Sequence, residues 1–357
     1  MHWAGFVSIL RSLSFMAFGV GVFLLSVSHF SKVLQRRLKH KLQPLFSRIG
    51  NNRFSAVGVG AGATALMQSS TATTVITVGL VNAGIVTLFQ ATALIMGANI
   101  GTTFTSLLIA LSSLQIKYVF MSLFFVGIII KVILQIKAAK AKKSKNTLNQ
   151  KIKGNPKLQL AADLFIGFGG IFIGFEILSS AFSASPYFQD LFYELFSTIT
   201  FPLLLILLGA VFTAIIQSST ASVALYITML TSGVLGLSSA IFLILGSEIG
   251  TCSTTLIASL KQKSAAKSAA AIHLLFNVFS AILFTAILWP FGGYILPIFS
   301  RLVPSTSWQL PVFQVIYNTV TVAVLIWFIK PLVYLVGGRQ RKREKQKNVI
   351  TLCTKAQ

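Results

Sequence analysis

The chain has 357 residues, of which 55% are hydrophobic and only 10% charged, with a mean hydropathy of +0.82. A soluble domain is about a quarter charged, so this composition excludes an ordinary cytosolic enzyme and puts the chain in a bilayer. The 30 Lys and Arg against 6 Asp and Glu leave a formal charge of +24, which would suit nucleic-acid binding if it were spread over one face.

Taken in chain order, six hydrophobic stretches are long enough to cross a bilayer as helices: 12–30, 88–113, 118–136, 159–181, 268–289 and 312–335. A seventh, 238–260, has the length and contains Glu248 and a glycine-rich break. The first stretch is longer than a signal-peptide core and is kept as a helix. Two further apolar regions, 54–86 and 201–236, do not pattern as single spans. Of the cations, seven lie between Lys32 and Arg53, nine between Lys131 and Lys157, three between Lys261 and Lys267, and eight from Lys330 to Lys355. Massing in some loops and near absence from others is the positive-inside pattern of a polytopic membrane protein, so no nucleic-acid partner is expected. Cys252 and Cys353 cannot build a disulfide framework.

Placing the basic segments in the cytoplasm sets 31–53, 137–158, 261–267 and the tail inside, and 182–200 and 290–311 outside. Counting crossings between these points makes 54–86 enter and leave from the cytoplasm and 201–236 from outside. The charge pattern therefore predicts two re-entrant hairpins that open to opposite sides.

An internal repeat supports the same layout. Residues 64–103 align without gaps on 213–252, a shift of 149, with 16 of 40 positions identical. Gln68-Ser69-Ser70-Thr71-Ala72 recurs as Gln217-Ser218-Ser219-Thr220-Ala221, and Gly97-Ala98-Asn99-Ile100-Gly101-Thr102 as Gly246-Ser247-Glu248-Ile249-Gly250-Thr251. The spacing from Gln to Asn or Glu is 31 residues in both copies, and Gly19-Val20-Gly21 against Gly167-Phe168-Gly169 extends the match upstream. An odd number of crossings per unit inverts the second copy. The predicted fold is an all-α polytopic membrane protein of two inverted repeats, each with a re-entrant helical hairpin, and about seven full spans. This is an architecture of secondary transporters, whose sites lie near the midplane at broken helices.

Each Gln-Ser-Ser-Thr block falls at a hairpin tip. The arm Phe54–Met67 is 14 residues, about 21 Å as a helix, so it stops inside a hydrocarbon core of roughly 30 Å. Ser69, Ser70 and Thr71, like Ser218, Ser219 and Thr220, suit the N-cap and first turn of a following half-helix, whose free N–H groups and dipole favour an anion. Gln68, Gln217, Asn99, Thr102, Thr103, Glu248 and Thr251 are oxygen donors of the kind a hard cation accepts. The Gly97–Thr103 block is expected to repeat the device, with an unwound turn at its glycines and Thr102 or Thr103 capping the helix beyond it. Single serines such as Ser106, Ser112 and Ser239 are read as packing residues. Two blocks repeated at identical spacing are not. With no Lys or Arg placed deep in the repeat core, a bare divalent anion would be costly there, and accompanying cations are expected.

At these residues the chain resembles the type II sodium/phosphate cotransporter family, whose members carry a Gln-Ser-Ser-Ser motif in each of two inverted repeats, each followed by Gly-Ser-Asn-Ile-Gly-Thr. The similarity includes His273-Leu-Leu-Phe-Asn277 and extends from about Gly19 to the last helix. It implies Na⁺-coupled symport of inorganic phosphate, with Gln68, Ser69, Ser70, Gln217, Ser218 and Ser219 in the site and Na⁺ as coupling ion without other cofactor. Many bacterial relatives carry a large soluble domain, which is not expected after Val336 here. The chain departs from the pattern at Thr71 and Thr220, which keep the hydroxyl, at Cys252 opposite Thr103, and at Glu248 opposite Asn99.

An ionisable residue within a span is a functional candidate. Glu248 is expected either to supply a charged cation ligand or to stay protonated near the anion, with Na⁺ or H⁺ coupling at stake. Glu176 and Asp163 are read as interfacial, and His273 as a partner of Asn277. The expected layout is a first repeat over 1–136, a basic linker 137–158, a second repeat 159–289, an outside loop and last helix 290–336, and a basic tail 337–357. The N-terminus is outside and the C-terminus cytoplasmic, in a plasma membrane (the inner membrane if the source is Gram-negative). Phosphate, Na⁺ and lipid are the expected partners, and a homo-oligomer is compatible. Alternatives are a transporter of another oxyanion, H⁺ coupling through Glu248, or a non-transporting anchor or phosphate sensor whose basic tail recruits a partner. No Ser, His and carboxylate set supports an intramembrane hydrolase. A cysteine beside Ser69 is expected to be reached mainly from the cytoplasm, and one beside Ser218 mainly from outside.

Overall fold

The computed structural model describes residues 3–47, 49–50, 52–143 and 155–336. Residues 144–154, half of the expected basic linker, and the tail 337–357 lie outside the described residues. Among those described there is helix and turn but no strand.

Twelve α-helices can be named in chain order: α1 Trp3–Ser47, α2 Arg53–Met67, α3 Ser70–Asn82, α4 Leu88–Ala110, α5 Lys117–Lys143, α6 Pro156–Ser183, α7 Pro186–Thr198, α8 Pro202–Ile216, α9 Ser219–Thr231, α10 Leu237–Ser259, α11 Ser264–Leu302 and α12 Thr306–Leu325. Their starts carry local chemistry that satisfies free helix-end amides. Asn52 and Asn155 accept from the first amides of α2 and α6, and Thr87 with Gln90 forms a reciprocal capping box at α4. Pro156, Pro186 and Pro202 stand at first helical positions, where no N–H is needed.

Seven of the helical segments are long and apolar enough to cross a membrane: Gly5–Leu38, Leu88–Ser113, Lys117–Ala139, Pro156–Phe182, Leu237–Ser259, Ser264–Leu302 and Thr306–Val336. They overlie the seven stretches found in the sequence, and the chain is an all-α polytopic membrane protein. Two boundaries differ from expectation. The basic segment after residue 30 continues α1 to Ser47, so its first cations ride on the helix. The segment expected as an outside loop, 290–311, stays helical as far as Leu302 despite Pro290 and Pro297. Apolar side chains continue on both sides of each proline, and no polar run stops the helix there.

The regions 54–86 and 201–236 are helix–break–helix units, α2/α3 and α8/α9. Each pairs its first arm with the following long helix, α2 on α4 and α8 on α10. The contacts recur at the sequence shift of 149. Thr64 Oγ1 donates to Thr73 Oγ1 at 2.8 Å, and Thr213 Oγ1 to Ser222 Oγ at 2.8 Å. Gly97 packs on the Val57 carbonyl and the Ala61 amide, and Gly246 on the Ile206 carbonyl and the Ala210 amide, so closely that no Cβ fits at either position. This corrects the expected unwound turns. α4 runs unbroken through Gly97–Thr103 and α10 through Gly246–Cys252, because these glycines are used for helix contact rather than for a break. Thr102, Thr103 and Thr251 accordingly cap nothing. Their hydroxyls donate to Ala98 O at 3.0 Å, Ile100 O at 2.7 Å and Ser247 O at 2.9 Å within the same helix.

Two apolar cores result, one around each unit. Met67, Val78, Leu94 and Met96 belong to the first, and Leu205, Tyr226, Ile244 and Leu245 to the second. α1 packs along α6, and α5 lies antiparallel on α6. Lys117–Glu176 at 2.9 Å and Lys131–Asp163 at 2.6 Å bridge α5 and α6 toward opposite ends, which is where the two weaker acidic candidates go.

Candidate functional site

Each unit breaks at the same residues. After α2 the backbone of Gln68 takes a left-handed turn with φ 51°, and after α8 Gln217 does so with φ 57°. Among the described residues these are the two non-glycine positions with positive φ. A side chain there costs about 1–2 kcal/mol, a strain characteristically held at functional sites. The turn stops the first arm, and Gln68 Nε2 covers a carbonyl left over at its end by donating to Ala65 O at 2.5 Å. The next residue is extended and caps the second arm: Ser69 Oγ accepts from the Ala72 amide at 3.1 Å, and Ser218 Oγ from the Ala221 amide at 3.3 Å. Helix geometry leaves the amides of Ser70, Thr71, Ser219 and Thr220 without intrahelical partners.

Both breaks face one cavity. Gln68, Ser69, Ser70, Thr71, Gln217, Ser218, Ser219 and Thr220 all line an open pocket of about 530 Å³. Two helix N-termini and their hydroxyls therefore converge on a shared volume, an arrangement suited to an anion. Because the tips share this volume, a reagent that enters it meets both. The copies differ in exposure: Gln68 is buried at 7% and Gln217 is exposed.

α1 closes another wall of the pocket with Ser28, Ser31, Lys32 and Gln35, and α10 adds Thr254. Ser31 Oγ donates to Met67 O at 3.0 Å, and Gln35 Nε2 to Ser31 Oγ at 2.7 Å, tying α1 to the end of α2 beside Gln68. Sequence reasoning misses this wall, because Lys32 reads as part of a cytoplasmic basic segment. The spacing i, i+3, i+4, i+7 of Ser28, Ser31, Lys32 and Gln35 is the available signal.

Asn99, Thr102, Thr103, Glu248 and Thr251 do not line this pocket. Asn99 and Glu248 belong instead to a buried ring of hydrogen bonds across four helices. Asn99 Nδ2 of α4 donates to Asn277 Oδ1 of α11 at 2.7 Å, and Asn277 Nδ2 donates to Glu248 O of α10 at 2.7 Å. Gln314 Nε2 of α12 donates to Glu248 Oε1 at 2.9 Å, and Ser106 of α4 closes the ring by donating to Gln314 Oε1. His273 sits 3.4 Å from Asn277, as its place one turn away suggests. Gln314, Tyr317, Asn318 and Thr321 form a fully buried polar face on α12, a second feature legible in its i, i+3, i+4, i+7 spacing but not used. Asn318 Oδ1 and Thr321 Oγ1 on that face have no hydrogen-bond partner among the described residues.

Comparison with known proteins is consistent with this geometry. The chain is 28% identical over 269 residues to the uncharacterized protein YqeW of Bacillus subtilis (strain 168), covering 74% of this chain and 77% of that one. It is 26% identical over 294 residues to YjbB of Escherichia coli (strain K12), named for a proposed role in inorganic phosphate export, covering 82% of this chain. The chain spans about half the length of that relative, 49%. Over 144 residues, 38% of this chain and 22% of the other, it is 32% identical to the sodium-dependent phosphate transport protein 2A of Rattus norvegicus. No solved structure matches. The family model described as Na⁺/Pi-cotransporter matches residues 22–180 and 185–297, segments that contain both breaks, the α1 wall and most of the buried ring, and the chain belongs to that family.

Proposed function

We propose that the chain is a secondary transporter that carries inorganic phosphate together with Na⁺ across the plasma membrane by alternating access. The observation that carries this reading is the convergence of two capped helix N-termini, at Ser69 and Ser218, on one cavity. A phosphate there would accept from the amides and hydroxyls of Ser70, Thr71, Ser219 and Thr220, with Ser69 and Ser218 holding the caps. The Gln68 and Gln217 carboxamides would offer oxygen to an accompanying cation. The names of the Escherichia coli and rat relatives support phosphate as cargo, and the rat name supports sodium dependence.

In this reading α2/α3 and α8/α9 are re-entrant hairpins of inverted repeats, entering from the cytoplasm and from outside respectively. Their relative movement would open the shared cavity to one face and then the other. The N-terminus is outside and the C-terminus cytoplasmic.

Glu248 favours a second reading of the coupling ion. It is 3% exposed, and its carboxylate is paired with Gln314 rather than with a cation. Leaving a bare carboxylate in that environment is costly. A Na⁺ drawn to Glu248 and to the unpartnered oxygens of Asn318 and Thr321 would relieve the cost, and so would a proton on Glu248.

Purified protein in liposomes, loaded with labelled phosphate on one side and given Na⁺ or pH gradients of either direction, tests the proposal. Phosphate flux that follows the Na⁺ gradient is the expected result. Flux that follows only the pH gradient selects the second reading, and absence of gradient-dependent flux in both directions refutes transport.

A further inference from the structure

Among the described residues, one charged side chain lines the cavity, and it is a cation. Lys32 of α1 is the charged residue lining it, alongside the hydroxyls and carboxamides of both breaks. Its neighbours Ser28, Ser31 and Gln35 share the same helical face. The Ser31 bond to Met67 O and the Gln35 bond to Ser31 hold that face in register with the end of α2.

No acid neutralises Lys32 among the described residues. Asp163 and Glu176 are paired with Lys131 and Lys117, and Glu248 accepts from Gln314 in the separate ring. An exposed, unpaired ammonium beside two helix N-termini raises the positive potential of a site already suited to an anion. The feature is also one-sided. Aligning Gly19 with Gly167 sets Ser179 against Ser31 and Ser180 against Lys32. The second repeat supplies the same hydroxyl and no charge, and α6 contributes nothing to the lining. The doubled breaks are symmetric in hydrogen-bond donors, while the fixed charge comes from one half alone.

We propose that Lys32 is an anion-recognising residue of the cavity, meeting one negative charge of a bound tetrahedral oxyanion so that fewer accompanying cations are needed for charge balance. The inference rests on the reading of the cavity as a phosphate site. It assigns to α1 a part in substrate selection that the repeated motifs do not contain.

The test uses the full chain in liposomes with labelled phosphate. Lys32→Gln is expected to raise the apparent KM for phosphate about tenfold, the effect of losing one charge-assisted hydrogen bond at an exposed position, with maximal rate changed less than about twofold. Lys32→Arg, which keeps the charge, is expected to stay within about threefold of the unsubstituted KM, and raised ionic strength should weaken phosphate affinity more in the unsubstituted protein than in Lys32→Gln. A merely structural role would move the maximal rate or the amount of folded protein instead. Lys32→Gln with unchanged KM, in a protein that still transports phosphate, overturns this inference alone. Absence of phosphate flux in the unsubstituted protein overturns the transport reading and this inference with it.

Discussion

Gly246→Ala should separate α8 from α10. An alanine Cβ at that position would stand 2.7 Å from the Ile206 carbonyl carbon and 2.9 Å from the Ala210 amide nitrogen, both backbone atoms of α8. The Ile206 carbonyl oxygen would lie closer still, and since ordinary contacts to carbon lie at about 3.5 Å the helices must part by more than about 1 Å, with no flexible side chain among these neighbours to swing away. Overpacking of this kind costs about 1–3 kcal/mol, which at about 2–4 °C per kcal/mol for a chain of this order of size lowers Tm by roughly 2–12 °C. Cys252 provides the probe. It lies in α10, is 0% exposed and is not disulfide-bonded, so a thiol-reactive fluorogenic dye reports its release on heating in detergent once Cys353 is replaced by serine. Gly62→Ala is the matched control, because nothing lies within 4 Å of a Cβ there. It should leave Tm unchanged or raise it by about 2–4 °C through helix propensity. A Gly246→Ala protein with unaltered Tm, or a Gly62→Ala protein equally destabilised, would refute the close-packing account of the repeated glycines.

Ser69→Ala and Ser218→Ala each remove the cap of a half-helix and should cost about 1 kcal/mol, seen as a lower Tm and a raised KM for phosphate; retention of both values would mean the caps are dispensable. Glu248→Ala leaves the buried Gln314 amide without its acceptor, an expected loss of about 1–3 kcal/mol, whereas Glu248→Gln keeps an oxygen there and should melt at a higher temperature than Glu248→Ala. Glu248→Gln should also shift the Na⁺ or pH dependence of flux, and unchanged dependence on both would remove Glu248 from coupling. Thr71→Cys and Thr220→Cys, made without the two native cysteines, should react with an impermeant thiol reagent from the same side of the membrane and be protected together by phosphate. Modification of each from the opposite side only would contradict the shared cavity.

Much of the scaffold was legible because it rests on length and local chemistry. Seven apolar stretches became seven helices, and the serine after each Gln became an N-cap, since a small side-chain oxygen on an extended residue can do little else at that place. The meaning of Gly97-Ala-Asn-Ile-Gly-Thr was not legible. Glycine allows both an unwound turn and a close helix contact, and only the position of α2, far along the chain from α4, decides between them. The same holds for Asn99 and Glu248. Their spacing from Gln68 and Gln217 placed them in the correct helices, but side-chain direction sent them toward Asn277 and Gln314 rather than toward the cavity. Lys32 was hidden by a sound rule applied at the edge of its range. Cations flank membrane helices on one side, yet a helix that continues through the basic segment carries the first of them back against the protein.

The two repeats match in contacts and differ in charge, and the difference bears on how transport could be coupled. Lys32 has serine as its counterpart at 180, and Glu248 has asparagine as its counterpart at 99. The added positive charge lines the cavity, while the added negative charge is buried in the ring of α4, α10, α11 and α12. Separating them keeps a carboxylate out of a site suited to anions, where repulsion would weaken binding. The separation is short, however. Thr254 reaches the cavity from the same helix that carries Glu248, six residues or about 9 Å farther along, and the neighbouring Thr255 hydroxyl meets Thr74 of α3 at 3.2 Å. A change at Glu248, whether a cation arriving or a proton leaving, would act on α10 as a rigid body and so, through Thr74, on α3, whose N-terminal turn lines the cavity. Coupling by this route requires that replacing Thr255 by valine, which keeps its shape and removes the bridge, weaken the dependence of phosphate affinity on the coupling ion while leaving affinity at saturating ion close to that of the unsubstituted protein.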